Sequence, residues 1–297
     1  MSYEPTHAAL DKLWLFTPDF NFKPELITCQ PAKIVAGEVH GMDTYYYNSE
    51  LFNLDIKHVN GTPHLKVAYN PANVLHGQVM KSLNDIGIRF NDETARIARF
   101  DVQRTATMKH DISAYRHAFF SATYSRFNQV AYQTTYNVRN KQVECELYDK
   151  SRESNLKEPN RCRLEVRYKK ASLCSKLGIT TFADLKEANL HQLYIAGIDK
   201  TLPYLHNLEA ERVNQIATLQ NQLNQLHHSG TYGALTTLLK QHGFNSIGAD
   251  ELMQIIQGAD IDKKKRYRMK QEVRKLEAKF VLPPKADVIS DLLKFVA

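Results

Sequence analysis

Residues 142–154 read QVECELYDKSRES, and period-two alternation sorts a strand here into two faces. Val143, Cys145 and Leu147 fall on one side, and Glu144, Glu146, Tyr148 and Lys150 on the other. A phenol with an ordinary pKa of about 10 is a weak nucleophile at neutral pH. Tyr148 therefore needs a cation or a metal beside it before it can attack a phosphodiester, and Lys150 is two residues away. A divalent ion held by carboxylates would polarise the phosphate and stabilise the attacking and leaving oxygens of an in-line displacement. The product would be a phosphotyrosyl link to DNA and a free 3′ hydroxyl. The plain alternative is a half-exposed strand ending at Tyr148, in a chain with 15 tyrosines, with Lys150 lying along the surface.

The elements that must position these groups come from the same periodicities. The first sixty residues are β-rich, with strands expected in 10–16, 33–41 and 44–59, and no chemistry is assigned to them. Residues 64–70 alternate, after which Asn70 and Pro71 are expected to cap a helix carrying Leu75, Val79, Leu83 and Ile86, closed by Gly87. The strand over 95–106 places Ile97, Arg99, Asp101 and Gln103 on one face. Asp111 is expected to cap a helix with the apolar stripe Ile112, Tyr115, Phe119 and Ala122. A hairpin pairs 131–138 with 142–150. The strand over 160–170 turns Cys162, Leu164, Val166 and Tyr168 inward and Arg163, Glu165, Arg167 and Lys169 outward.

This order predicts an α+β fold: an antiparallel or mixed sheet with helices on its apolar face, followed by an all-helical region. The polar face would gather Asp101, Glu146, Tyr148, Lys150, Glu165 and the flanking arginines. A solvated face of salt-bridged side chains is the alternative. The domain boundary is expected at Gly178, giving a β-rich domain over 1–178 and a helical, basic one over 179–297.

In the helical part, a capping box from Thr181 to Asp184 opens a helix over 181–194, and a long amphipathic helix runs from Leu208 to Leu226. Helices over 231–243, 249–258 and 262–280 follow, then a docking segment over 288–296. Residues 263–279 carry a net charge of +7, the formal charge of the whole chain, so the basic excess is local. Lys263, Lys264, Lys265, Arg266, Arg268 and Lys270 are the expected DNA contacts. They belong either to a helix-turn-helix reader or to a bundle resting a basic face on phosphates, and binding through phosphates should weaken steeply with salt.

Composition excludes other classes. With 43% hydrophobic and 24% charged residues the chain is globular. No apolar run approaches the ~20 residues of a membrane span, and the first residues lack a signal peptide's apolar segment, so a cytoplasmic protein with no membrane partner is expected. Cys29, Cys145, Cys162 and Cys174 show no zinc or disulfide spacing and are expected to be reduced core residues.

Four segments in order, LKVAYNPANVLHG, RIARFDVQRTA, VECELYDKSRE and RCRLEVRYKKASLCSKLGITTFADL, make residues 64–190 resemble the gene II/X family of rolling-circle replication initiators of filamentous phages. The resemblance puts Tyr148 on the family's nicking tyrosine, with Lys150 and Glu153 at the lysine and glutamate that follow it. Asp101 falls on the aspartate of the arginine, apolar, aspartate strand, and Glu165 on the glutamate of the last strand, between Arg163 and Arg167. The need for a divalent ion, Mg2+ or Mn2+, assigns Asp101 and Glu165 to metal binding, with Glu153 as a third ligand. Arg99, Arg163 and Arg167 are expected on the DNA. No His, apolar, His triplet occurs, and His64 and His76 are isolated and expected to be structural.

By that resemblance the protein binds a double-stranded origin, nicks one strand through Tyr148 and rejoins the displaced single strand, while a host helicase and polymerase copy the circle. Participation of a second tyrosine, such as Tyr136 or Tyr168, in rejoining stays open, as does phage or plasmid origin. The alternative is a non-catalytic DNA-binding regulator or accessory replication protein.

Overall fold

The computed structural model describes residues 7–22, 34–39, 42–154, 158–229, 233, 249–277 and 285–295. The expected helix over 231–243 lies outside them. The strands are β1 (Ala9–Thr17), β2 (Phe20–Asn21), β3 (Ile34–Val39), β4 (Met42–Asn48), β5 (Phe52–Val59), β6 (Thr62–Tyr69), β7 (Arg89–Phe90), β8 (Arg96–Thr107), β9 (Asn128–Ala131), β10 (Thr135–Arg139), β11 (Val143–Asp149) and β12 (Arg161–Tyr168). Ten of these form one sheet in the order β3-β4-β5-β6-β1-β8-β12-β11-β10-β9, and β2 pairs with β7 separately. Every neighbouring pair is antiparallel, so the fold is α+β as the alternation implies.

The sheet's apolar face holds Leu13, Leu15, Phe100, Val102, Cys145, Leu147, Leu164 and Val166, all essentially inaccessible to solvent. Burying each of the larger groups is worth about 1.5–3 kcal/mol relative to leaving it in water. A one-residue slip of β11 would exchange its two faces, driving Glu144, Glu146 and Tyr148 into that core, so burial fixes the register that presents them.

Helices follow the strands. They are α1 (His76–Asp85), a 3-10 turn (Ile112–Tyr115) running into α2 (Arg116–Ser121), α3 (Lys150–Glu153), α4 (Ala171–Lys176), α5 (Phe182–Glu187), α6 (Leu190–Thr201), α7 (Leu208–Ser229), α8 (Ala249–Gly258), α9 (Lys263–Glu277) and α10 (Lys285–Leu293). Asp111 caps the 3-10 turn through the Ser113 amide, and Ile112, Tyr115, Phe119 and Ala122 are buried as their spacing implies.

Several boundaries differ from the sequence expectation. The helix expected from Pro71 begins at His76, because the Asn70 side chain accepts from the Ala72 amide and makes a local turn instead. The Thr181–Asp184 capping box forms, but its helix stops at Glu187 and Asn189 caps a new one through the Gln192 amide. A register shift between Trp14 and Leu15 lets Ile97 join the core opposite Leu15, off the face that carries Arg99 and Asp101.

Two apolar cores form. The first lies under the sheet, takes in Ile179, Phe182, Leu193, Ile198 and Leu208, and is completed by Val288, Ile289, Leu292 and Phe295 of the last helical segment. The second joins Leu219 and Leu223 to Leu252, Ile255, Ile256, Met269 and Val273. The cores therefore divide within α7, not at Gly178. Asp291 anchors α10 by accepting from the Lys109 amide at 2.7 Å and the Tyr115 hydroxyl at 2.8 Å, and Arg104 donates to the Phe295 carbonyl. No helix among the described residues is long and apolar enough to cross a membrane. Cys145, Cys162 and Cys174 are free and buried; Cys29 is not among the described residues.

Helix α6 closes onto the sheet at Gly197, where an added Cβ would stand 2.2 Å from Val166 Cγ1 and 2.9 Å from the Tyr168 hydroxyl. Tyr168 cannot simply swing away, because its hydroxyl donates to the Leu193 carbonyl at 2.6 Å. Gly197→Ala should therefore cost about 1–3 kcal/mol through overpacking, despite alanine's better helix propensity. A thermal melt should show Tm lower by roughly 3–10 °C; an unchanged Tm would mean the helix and sheet are not in this contact.

Candidate active site

Strands β8, β12 and β11 bring the polar side chains together in three cross-strand rows. Asp101 faces Arg167, which faces Glu144; Gln103 faces Glu165, which faces Glu146; Thr105 faces Arg163, which faces Tyr148. Tyr148, Asp101, Glu146 and Glu165 line one open cavity of about 630 Å3, with Asp11 and Lys12 of β1 on its other side. Tyr148 is 9% exposed and lies on the polar side of β11, outside the apolar core. The hydroxyls of Tyr69, Tyr115 and Tyr168 are tied up in hydrogen bonds, but that of Tyr148 makes none among the described residues. Tyr136 and Tyr168, the candidate second tyrosines, are buried in the core instead.

The carboxylates are held by guanidinium groups. Arg99 makes two bonds to Asp101, at 2.8 and 2.5 Å. Arg167 donates to Glu165 and Glu144 at 2.7 Å each, bonds Glu146, and lies 3.8 Å from Asp101. Arg163 donates to Asp11 at 3.1 Å and to Thr105 at 3.3 Å, with its guanidinium 5.9 Å from the Tyr148 ring centre. Arg99 and Arg167, expected on the DNA, are thus engaged by acids of their own sheet.

Burial pushes the Asp101 carboxyl up to about 6; the charge on Glu165 adds to this, and Arg99 and Arg167 oppose it. Glu146 and Asp11 are also raised, mainly by burial and further by Glu165. On Glu144 burial is outweighed by Lys169, Asn137 and Arg167, which hold it below its ordinary value. Burial raises the Tyr148 phenol, and Glu165, Glu153 and Asp11 raise it further against Arg163. Among the described residues six acids and four cations line the cavity, and Arg163 and Lys150 just outside it pair with two of the acids, Asp11 and Glu153.

Of the expected residues, Glu153 lines the cavity and Lys150 stands beside it. Strand β11 ends at Asp149, which caps α3 through the Arg152 amide, so Lys150 opens a helix and does not continue the strand. Its Nζ lies 6.0 Å from the Tyr148 ring centre and 2.6 Å from Glu153 Oε2. Glu153 is therefore paired with Lys150 at the cavity, and Glu146, directly opposite Glu165, adds an acid that was not among the expected ligands. Among the described residues no three His, Cys, Asp or Glu side chains form a metal-holding group. The face does not fit an all-protein metal cage. It does fit a Mg2+-type ion that takes one or two carboxylates and completes its shell with phosphate oxygens and water.

His76 is structural, as expected of a lone histidine: its two ring nitrogens each lie 2.6 Å from an oxygen, of Tyr69 and of Asp92. On α9, Lys263, Lys264 and Arg268 are exposed, Lys265 is part of the helix cap, and Lys270 bonds Gln257. Arg266 is turned inward: one nitrogen of its guanidinium donates to the carbonyls of Ala259 and Ile261, at 3.0 and 3.1 Å, tying α9 to the end of α8.

No family model matches the chain, and no curated protein matches it. Among solved structures it is similar to a rolling circle replication initiator protein from Geobacillus stearothermophilus. The identity is 11% and the TM-score 0.38, over 67% of this chain and 86% of that one. So distant a likeness carries no residue roles across, and the functional conclusion rests on the cavity.

The site residues that the sequence did not disclose are those of β1. Asp11 and Lys12 reach the cavity because β1 inserts between β6 and β8, with Lys12 opposite Asp101. Two adjacent charges in an otherwise apolar strand are the one signal that marks them.

Proposed function

We propose that the protein is a rolling-circle replication initiator that nicks one strand of a double-stranded origin, with Tyr148 as nucleophile. The carrying observation is that Tyr148 offers an unbonded phenol at a cavity shared with Asp101, Glu146 and Glu165. The phenol loses its proton, its oxygen bonds to phosphorus, the bond from phosphorus to the 3′ oxygen breaks, and that oxygen leaves as a hydroxyl after taking up a proton. The reverse transfer, from the phosphotyrosyl link to a 3′ hydroxyl, rejoins the displaced strand. Arg163, beside the phenol, favours the phenolate and the scissile phosphate. Lys150 places a second positive charge by the ring.

Asp101 and Glu165 would hold Mg2+ or Mn2+, with Glu146 and Glu153 on the same cavity wall. The ion would supply charge neutralisation at the phosphate and lower the cost of ionising a phenol whose surroundings raise its pKa. Lys263, Lys264 and Arg268 would hold duplex phosphates. A host helicase and polymerase would extend from the 3′ hydroxyl in the bacterial cytoplasm, on a phage or plasmid circle.

The test is supercoiled origin plasmid incubated with Mg2+ or Mn2+, followed by mapping of the DNA-linked peptide. Linkage to the peptide carrying Tyr148 is expected; linkage to another residue removes the proposal. A second reading, a DNA-binding regulator without chemistry, is favoured by the arginines that occupy the acids and by the raised phenol. It predicts no nicking on an origin that the protein binds.

The acid limb of the reaction follows from Asp101. A carboxyl raised to about 6 is charged above that pH and protonated below it, so ion binding fails as pH falls through 6. Nicking should drop about tenfold per unit below that point. A rate that stays flat from pH 7 down to 5 would take Asp101 out of the reaction.

A further inference from the structure

Beside the cavity at Tyr148 lies a second one, of about 420 Å3, joined to it through Lys12 and Asn70, which line both. The volume falls within the range of small-molecule sites, about 300–1,000 Å3. We propose that this second cavity holds one unpaired nucleobase of the strand being cut, seated over Ala68 between Trp14 and Asn53; this rests on the nicking role of the first cavity.

The pit is produced by cross-strand register. Across β8, β1, β6, β5 and β4 one row reads Arg99, Trp14, Ala68, Asn53, Asn48. Ala68 is the single small side chain in a row of large ones, and the missing bulk is the floor of the cavity. The adjoining row, Phe16, Lys66, Asp55, Tyr46, supplies its rim. Tyr46 is 44% exposed among the described residues, a large aromatic surface. The side-chain amides of Asn48 and Asn53 make no hydrogen bond among the described residues, and such amides carry the paired donor and acceptor that read a base edge.

Trp14 lines the pit, while its indole N–H is buried away from the cavity and has no acceptor among the described residues. Lys66 stands 3.8 Å from the indole ring centre, opposite Asp55, and makes no salt bridge among the described residues, so it can meet a phosphate at the lip. A neutral, amide-lined pit with aromatic walls suits a base; the charged groups at its edge suit the backbone that carries it.

Trp14 is the only tryptophan in the chain, so intrinsic fluorescence reports on the pit alone. A short single-stranded oligodeoxynucleotide should change the emission of the full-length protein, and an abasic strand of equal length should bind without that change. Filling the floor with Ala68→Leu, and removing one amide with Asn53→Ala, should each weaken the normal oligonucleotide; the first should cost about tenfold. Asn53 is exposed, so the second variant keeps the test valid if the first fails to fold. Tyr148→Phe should leave the fluorescence response intact.

Equal emission changes with normal and abasic strands would overturn the proposal. So would oligonucleotide binding seen by anisotropy with no emission change, or no binding at all. A fluorescence response without nicking would sink the reaction and keep the pit. Nicking without the response would do the reverse.

Discussion

Tyr148→Phe should abolish strand cutting, by about 10^4-fold or more, and should leave duplex binding within about twofold of wild type. The substitution removes one oxygen and keeps the ring. Arg163 and Lys150 keep their places 5.9 and 6.0 Å from the ring centre. No hydrogen bond among the described residues is lost, so the melt should not move. The measurements are relaxation of supercoiled origin plasmid and recovery of protein on the 5′ end. If the variant still cuts and still carries DNA, another group is the nucleophile. If it still cuts but carries none, water is.

The second large effect is on stability. Arg167→Ala leaves Glu144, Glu146 and Glu165 without their shared counter-ion, and breaking a buried pair by deleting one partner costs about 3–5 kcal/mol. At neutral pH, Tm should fall by roughly 10 °C. The sign of its pH dependence is set by the acids that remain. Glu146 already sits above its ordinary range, and losing Arg167 raises it further. A raised carboxyl binds more protons in the folded chain than in the unfolded one, so the deficit is full above the folded pKa and shrinks as pH falls through it. The variant should therefore recover part of its Tm as pH is lowered from neutral. Millimolar Mn2+ should also restore part of the loss if these carboxylates can hold a divalent ion. A variant as stable as wild type at pH 7 would mean that the guanidinium does not neutralise the cluster.

Much of this face is legible from alternation alone, because period two states directly which residues share a side. Tyr148 with Glu146, and Arg163 with Glu165, follow without any knowledge of the neighbouring strands. What alternation cannot give is which strands are neighbours. The pairing of Glu146 with Glu165, and hence the addition of Glu146 to the acids at the cavity, depends on the β11–β12 register. The entry of Asp11, Lys12 and Trp14 depends on β1 crossing from the start of the chain to the sheet's centre. Lys150 is misplaced for a local reason: the Asp149 carboxylate caps a helix one residue before the alternation would have carried Lys150 to the same side as Tyr148. Arg266 is charged like its neighbours, and only tertiary packing turns it onto carbonyl oxygens.

Because Val288, Ile289, Leu292 and Phe295 complete the apolar layer beneath the sheet, the half of the molecule that carries Tyr148 is discontinuous in sequence, with the second core spliced into it. A nascent chain that has emerged only as far as β12 has every residue of the cavity but not its foundation. Ribosome-bound chains should thus stay protease-sensitive until α10 has emerged, and a shortened version stopping near Gly178 should be a poor starting point for isolating the sheet with its cavity.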